Sequence, residues 1–260
     1  MSKFIFNIKK YFNYAVYSAK AELKSEVADS YLNWLWWIVE PFCFMLIYTF
    51  IFGVVFKNNT PYFASFVFIG LTAWDFFNRM INGSVKLIIN NRDLVTKVYI
   101  PKYILLLSKS FTYLFKMGIS LLITFGLMLF QGVPFTWHIL LMIPIFVVLY
   151  IISFGIGMIL MHFGVTLNDL GNLTNIALRM VFYLSGIFYN INERLSGTLA
   201  QILLKANPVA FCMNELRNVM IGNALPNFAF LGIWFIVGIG LCALGVHLIN
   251  SYENSYAKVI

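Results

Sequence analysis

Charge is what this sequence has least of. Only 11% of its 260 residues are Asp, Glu, Lys or Arg, where a soluble domain carries about 25%, and the mean hydropathy is +0.83. An ordinary soluble fold is therefore excluded. The ten acidic residues are scattered, so the clustered acids or histidines expected of a membrane-embedded transferase are missing. Cysteine is scarce too: Cys43, Cys212 and Cys242 lack CxxC spacing and suit neither a disulfide framework nor a metal site. His138, His162 and His247 stand alone, outside any HExxH motif, and read as packed or interfacial residues. No GxxxxGK[ST] loop occurs, so ATP is not bound and hydrolysed by that route here, and no cofactor is expected. The chain also lacks an inverted repeat and the paired broken helices of a secondary transporter.

What is abundant is apolar sequence. A hydrocarbon core about 30 Å thick needs roughly 20 apolar residues per helical span. Six runs approach that length: 34–56, 62–81, 111–130, 139–165, 172–191 and 228–249. Backbone groups find no partners in lipid, so each run must be a helix or belong to a closed barrel. Two-residue alternation is missing, which excludes the barrel. The expected fold class is an all-α integral membrane protein with six spans in residues 33–260.

The net charge of +8 marks topology rather than nucleic acid, because the cations are not gathered in a soluble domain. Lys3, Lys9, Lys10, Lys20 and Lys24, then Lys86, Arg92, Lys97, Lys102 and Lys109, and finally Lys258 fall on one side. Lys57, Arg194, Lys205 and Arg217 fall on the other. The positive-inside rule then places both termini in the cytosol. The first apolar run begins only near residue 34, so no cleavable signal peptide is expected.

Residues 1–32 carry Phe4, Ile8, Phe12, Ala15, Val16 and Ala19 on one helical arc, with Lys10 and Lys20 turned away. This is the pattern of a helix lying in the membrane surface. Glu22 and Glu26 fall on the same apolar arc, which fits either a bend away from the membrane or contact with another protein. Before the last run, residues 192–226 hold two short apolar faces, Leu195, Leu199, Ile202 and Leu203, then Cys212, Leu216, Val219 and Met220. Asn207-Pro208 supplies a helix start and Gly222 a stop. Segments this short predict a re-entrant or interfacial helical hairpin on the outer side.

The two inner loops share a pattern, Asn91-Arg92-Asp93-Leu94 and Leu167-Asn168-Asp169-Leu170. Both predict helix starts, with an Asn or Thr cap and an early Asp at the positive end of the helix dipole. In the first loop, residues 87–99, Leu94, Val95 and Val98 form an apolar face, and Pro101 with Ile100 before it predicts a joint. Within the spans, ionisable residues cost about 2.5–3.5 kcal/mol each on insertion scales. Glu40 and Arg179 lie at similar depth and are expected either to pair or, for Arg179, to snorkel. Asp75 and Arg79 stand four apart, suiting a helix-face ion pair.

The order of parts resembles the ABC-2 type permeases that export polysaccharides such as O-antigen, capsule and teichoic acid. The pieces that carry the resemblance are "WWIVEPFCFMLIYTFIFGVVF" (36–56), "NRDLVTKVYIPK" (91–102), "NDLGNL" (168–173), "SGIFYN" (185–190) and "NPVAFCMNELRNVMI" (207–221). The resemblance implies a homodimer joined to two copies of a separate ATPase that holds ATP and Mg, together moving a lipid-linked polysaccharide across the bacterial cytoplasmic membrane. It implies contact with the ATPase through Asn91, Arg92, Asp93, Leu94, Val95, Asn168, Asp169, Glu22 and Glu26. It also implies that the first and fifth spans line the route, making Tyr48, Phe52, Tyr183 and Tyr189 candidates for a sliding aromatic surface or, on the plainer reading, core packing. Many relatives have Arg-Asp where this chain has Asn168-Asp169, and Ser-Pro where it has Ser185-Gly186. The second departure predicts a fifth helix less rigidly bent. A drug or lipid as cargo fits the same fold.

Overall fold

A computed structural model describes residues 2–28, 31, 33–48, 50–51, 60–191, 197–253 and 256. Among them every regular element is helical. The α-helices are α1 (Ser2–Ala28), α2 (Trp36–Tyr48), α3 (Phe63–Val85), α4 (Leu87–Asn90), α5 (Arg92–Lys97), α6 (Tyr103–Phe130), α7 (Met142–Thr166), α8 (Leu170–Leu184), α9 (Thr198–Ala206), α10 (Pro208–Met220) and α11 (Phe228–Ser251). Short 3-10 turns, Asn33–Leu35 and Trp137–Leu141, precede α2 and α7. Three of these stretches, Tyr103–Phe130, Trp137–Thr166 and Phe228–Ser251, are long and apolar enough to cross a membrane.

The centre of the bundle is α3, α7 and α10. α3 is buried along most of its length, because α6, α7, α8 and α10 all pack on it. α7 and α11 are apolar all round, the composition of a helix buried in protein or lipid on every side. They meet through small residues, which let membrane helices approach closely. A Cβ at Gly155 would lie 2.7 Å from the Leu241 Cβ and 2.9 Å from the Cys242 amide nitrogen.

α10 starts as the sequence predicts. Asn207 Oδ1 accepts from the amides of Val209 at 3.0 Å and Ala210 at 3.3 Å, and Pro208 occupies the first turn. The helix stops two residues short of Gly222, and the left-handed residue beyond it is Asn223, with φ 50°. α10 is not a surface helix, for nearly its whole circumference is buried against α3 and α7. Residues 192–196, including Leu195, lie outside the described residues.

Two helix boundaries differ from expectation for a physical reason. α6 begins at Tyr103 rather than 111, since its first two turns are covered by α1 instead of lipid. Asn7 Nδ2 donates to Tyr103 Oη at 2.8 Å, Phe4 meets the Tyr103 ring edge-on, and Ser108 Oγ donates to the Ala15 carbonyl. α8 ends at Leu184 rather than 191. Ser185-Gly186 ends the helix instead of leaving it gently bent, with Gly186 at φ 65°.

Arg217 holds that break in place. Its guanidinium is buried, lies 3.6 Å from the Phe66 ring centroid, and donates to the carbonyls of Phe66 (3.1 Å), Gly186 (2.8 Å) and Ile187 (2.7 Å). One side chain thus ties α10 to α3 and to the turn after α8. Gly70 makes room for it, because a Cβ there would meet Arg217 Nη2 at 2.6 Å. On the other face of α10, buried Glu215 accepts from the Asn227 amide at 2.9 Å and fixes the entry to α11.

Candidate functional site

The polar segment between α3 and α6 folds into α4 and α5. Asn91 does not cap α5: its side chain turns back and donates to the Leu87 carbonyl at 2.8 Å, so it closes α4. The predicted apolar face is largely spent inside the molecule, with Val95 buried and Leu94 packed against the core. What remains exposed is Arg92, Asp93, Thr96, Lys97, Val98 and Tyr99. Asp93 and Lys97 lie 3.9 Å apart in an exposed i,i+4 pair, an arrangement that contributes a few tenths of a kcal/mol.

Asn168 and Asp169 are also exposed, and neither side chain caps α8. They lie near the first loop because the end of α7 is pressed against the end of α3. Gly164 sits so close to the Val85 carbonyl that a side chain would not fit, and Gly171 lies beside Lys86. The exposed residues of both inner loops therefore share one end of the bundle.

α1 reaches the same end by an unexpected route. It runs alongside α6 in the same direction, so that Phe4 meets Tyr103, Ala15 meets Ser108, and Glu22 and Glu26 meet Lys109 and Lys116. The Glu22–Lys109 and Glu26–Lys116 contacts are 2.5 and 2.6 Å. Both acids are thus engaged by lysines of α6 within the chain. They sit on the apolar arc because their cations sit on the facing arc of α6. Between α1, α4 and α6 opens a polar cleft of about 440 Å3, lined among others by Glu22, Asn82, Lys86, Asn91 and Lys109.

A second cluster at this end was not foreseen from the sequence. After α11, Glu253 accepts from Tyr99 Oη at 3.4 Å and lies 4.0 Å from Lys102 Nζ. Lys102 is buried and also donates to the Ile100 carbonyl. Burial pushes the Lys102 ammonium below the usual lysine range, with Glu253 opposing the shift, whereas the Glu253 carboxylate first of all pushes the Tyr99 phenol up. Next to it, Tyr256 Oη and His162 Nδ1 are 2.7 Å apart. The joint predicted at Pro101 is thereby bound to the last residues of the chain. No single motif announces this, since Tyr99 and Glu253 are 154 positions apart.

Deeper in the bundle, α2, α3, α6 and α8 surround a cavity of about 220 Å3. Its walls are aromatic, formed by Trp37, Phe44, Phe68, Trp74 and Phe182, and its charges are Glu40, Asp75, Arg79 and Lys116. Arg79 Nε donates to Asp75 at 2.7 Å, and Lys116 is held by Glu26. Glu40 forms no ion pair with Arg179, contrary to one of the expected alternatives. The cations that line its cavity are Arg79 and Lys116, and Arg179 is not among the lining residues.

The candidate aromatics separate. Tyr183 is 70% exposed on α8, whereas Tyr189 Oη donates to the Tyr183 carbonyl and helps to close that helix. Phe52 and the side chain of Tyr48 lie outside the described residues. Only Thr174 and Leu178 of α8 are buried. Asn172, Asn175, Arg179 and Tyr183 are all exposed, and spacings of three and four put them in one stripe along the helix.

Residues 16–221 match the ABC-2 type transporter family. Over its full length the chain is 26% identical to an O-antigen export system permease protein RfbA of Myxococcus xanthus, covering all of that protein as well. Two O-antigen export system permease proteins RfbA of Klebsiella pneumoniae are 24% and 25% identical, with 99% of each chain covered.

Proposed function

Because the chain belongs to the ABC-2 type transporter family, we propose that it is the transmembrane permease subunit of an ATP-driven exporter of lipid-linked polysaccharide in the bacterial cytoplasmic membrane. The observation that carries this is end-to-end similarity to permeases named for O-antigen export. It is a transport subunit and not an enzyme. Two copies pair in the membrane and two copies of a separate ATPase bind below them, bringing ATP and Mg.

In this reading α2, α3, α6, α7, α8 and α11 are the six spans, with α9 and α10 as an outer re-entrant hairpin and both termini in the cytosol. The cations of the inner loops support that orientation. ATP-driven closure of the ATPases presses on the exposed end formed by Arg92, Asp93 and the 96–99 segment, with Asn168 and Asp169 beside it. Asn91, Leu94 and Val95 hold α5 to the core, so a push on α5 is passed to α3 and α6. Glu22 and Glu26 couple α1 to α6, so the interface helix moves with the same body.

The polysaccharide travels along the exposed faces of α2 and α8. The stripe Asn172, Asn175, Arg179 and Tyr183 supports this, since amides, a guanidinium and a phenol facing lipid would be costly, while a hydrated sugar chain offers them exchangeable hydrogen-bond partners. The test is purification from the native host. An ATPase subunit should come with the permease, and deletion of its gene should leave surface polysaccharide inside the cell. A purified chain without an ATPase partner, or a deletion strain that retains a drug or a lipid instead, refutes the assignment.

A further inference from the structure

The polar cleft between α1, α4 and α6 has a volume of about 440 Å3, within the range of small-molecule sites, about 300–1,000 Å3. Its depth follows from α6. That helix has 28 residues and is about 42 Å long, the thickness of a bilayer with its headgroups. Measured from Tyr103, Lys109 lies about 9 Å and Tyr113 about 15 Å along it. Both line the cleft, which therefore opens at the level of the lipid headgroups and ends near the first acyl carbons.

The lining suits an anion. Glu22 is already engaged on both carboxylate oxygens, by Lys109 at 2.5 Å and by Thr112 Oγ1 at 3.4 Å. Lys86, between α3 and α4, also lines the cleft, is exposed, and forms no ion pair among the described residues. The cleft thus carries two cations against one carboxylate. Ser18 of α1 lines it as well, and Gly83 lets the Tyr113 hydroxyl approach α3, since a Cβ there would overlap it. An ammonium, a hydroxyl and a phenol from three helical segments therefore border one polar space. Outside the cleft, α1 exposes Lys9, Lys10, Lys20 and Lys24, which concentrate acidic lipid at this surface. It also exposes Phe6, Phe12 and Tyr17, which suit the acyl boundary.

We propose that the cleft binds the phosphodiester headgroup of an acidic membrane phospholipid, with Lys86 as its counter-ion and Ser18 and Tyr113 as hydrogen-bond donors. The inference rests on the reading of this end as the cytosolic side of a permease. One negative charge on the phosphodiester matches the single excess cation, whereas a zwitterionic headgroup brings a second cation and loses the match. The polar lining excludes an acyl chain, so the tails stay outside beside the exposed aromatics of α1 and only the headgroup enters. The site joins α1 to the junction of α3 and α4. An occupied cleft therefore fastens the interface helix to the segment that leads into α5.

The test labels Ser18→Cys in full-length permease carrying Cys43→Ala, purified with its ATPase and reconstituted in phosphatidylcholine vesicles with or without phosphatidylglycerol. An uncharged maleimide should react about tenfold more slowly when phosphatidylglycerol is present, the protection of a site about nine-tenths occupied. Lys86→Gln should abolish the protection and Lys86→Arg should retain it. Tyr17→Cys, on the exposed side of the same helix, should react at one rate in both membranes. Equal rates at Ser18→Cys, protection that survives Lys86→Gln, or a like slowing at Tyr17→Cys overturns the site. Equal protection by inorganic phosphate in phosphatidylcholine alone overturns the lipid as occupant. No cargo enters the measurement, so a permease that shows no protection yet still exports polysaccharide with its ATPase loses this site and keeps the exporter reading.

Discussion

Replacing Arg217 by Met should unlatch the centre of the bundle, and the structure sets the scale. The guanidinium makes three hydrogen bonds of 2.7–3.1 Å to carbonyls on α3 and on the turn after α8. Bonds with a charged partner contribute about 1.5–3 kcal/mol each. Against their sum stands the desolvation of a buried cation, several kcal/mol, which Met removes. The net loss expected is about 3 kcal/mol, at the lower end of what stranding a buried charged network costs. Gly70→Ala attacks the same guanidinium from the opposite side, since its new methyl would fall 2.6 Å from Arg217 Nη2. With the arginine pinned by three acceptors, the crowding should cost about 1–3 kcal/mol. In the Arg217→Met background the same methyl meets no guanidinium and should cost close to nothing. The assay is equilibrium unfolding of the four proteins in detergent micelles, followed by tryptophan fluorescence. The double-mutant cycle should show a coupling of about 1–2 kcal/mol. Additivity within about 0.5 kcal/mol, or an Arg217→Met protein as stable as the original, would refute the staple.

Other substitutions probe the remaining contacts. Gly155→Val should drive α7 and α11 apart and lower stability by about 1–3 kcal/mol or more, read by the same unfolding assay. Glu26→Gln should cost about 1 kcal/mol or less, because the Glu26–Lys116 pair is partly exposed, and the loss should vanish when Lys116→Met is already present. Arg92→Glu with Asp93→Lys should leave unfolding within about 0.5 kcal/mol of the original, yet reduce recovery of the ATPase in pull-downs; undiminished recovery counts against the exposed end as the docking face. Glu253→Gln should accelerate proteolysis at 96–102, because Tyr99 and Lys102 lose their shared acceptor, and an unchanged cleavage rate would show that the tie does not restrain that segment.

Apolar run length carried the helical framework, and side-chain chemistry marked the start of α10 at Asn207-Pro208, because both are local signals. Boundaries were missed where protein replaces lipid or where a distant residue intervenes. The first turns of α6 look too polar to span, yet they are helical because α1 covers them. The end of α8 is set by Gly186 together with an arginine some thirty positions later, which no local window contains. Glu22 and Glu26 looked anomalous on an apolar arc until the facing arc of α6 supplied Lys109 and Lys116. The α8 stripe was fully present in the sequence, in the spacing of Asn172, Asn175, Arg179 and Tyr183, but run length alone treats such a helix as uniformly oily.

The tie between Glu253 and the segment around Tyr99 and Lys102 bears on biosynthesis. The elbow leaving α5 is completed by residues that follow α11, 154 positions later in the chain. A nascent chain that has not yet reached α11 therefore holds that elbow unfinished. On the proposal that this end docks an ATPase, engagement of the motor waits until α11 and the residues after it are in place.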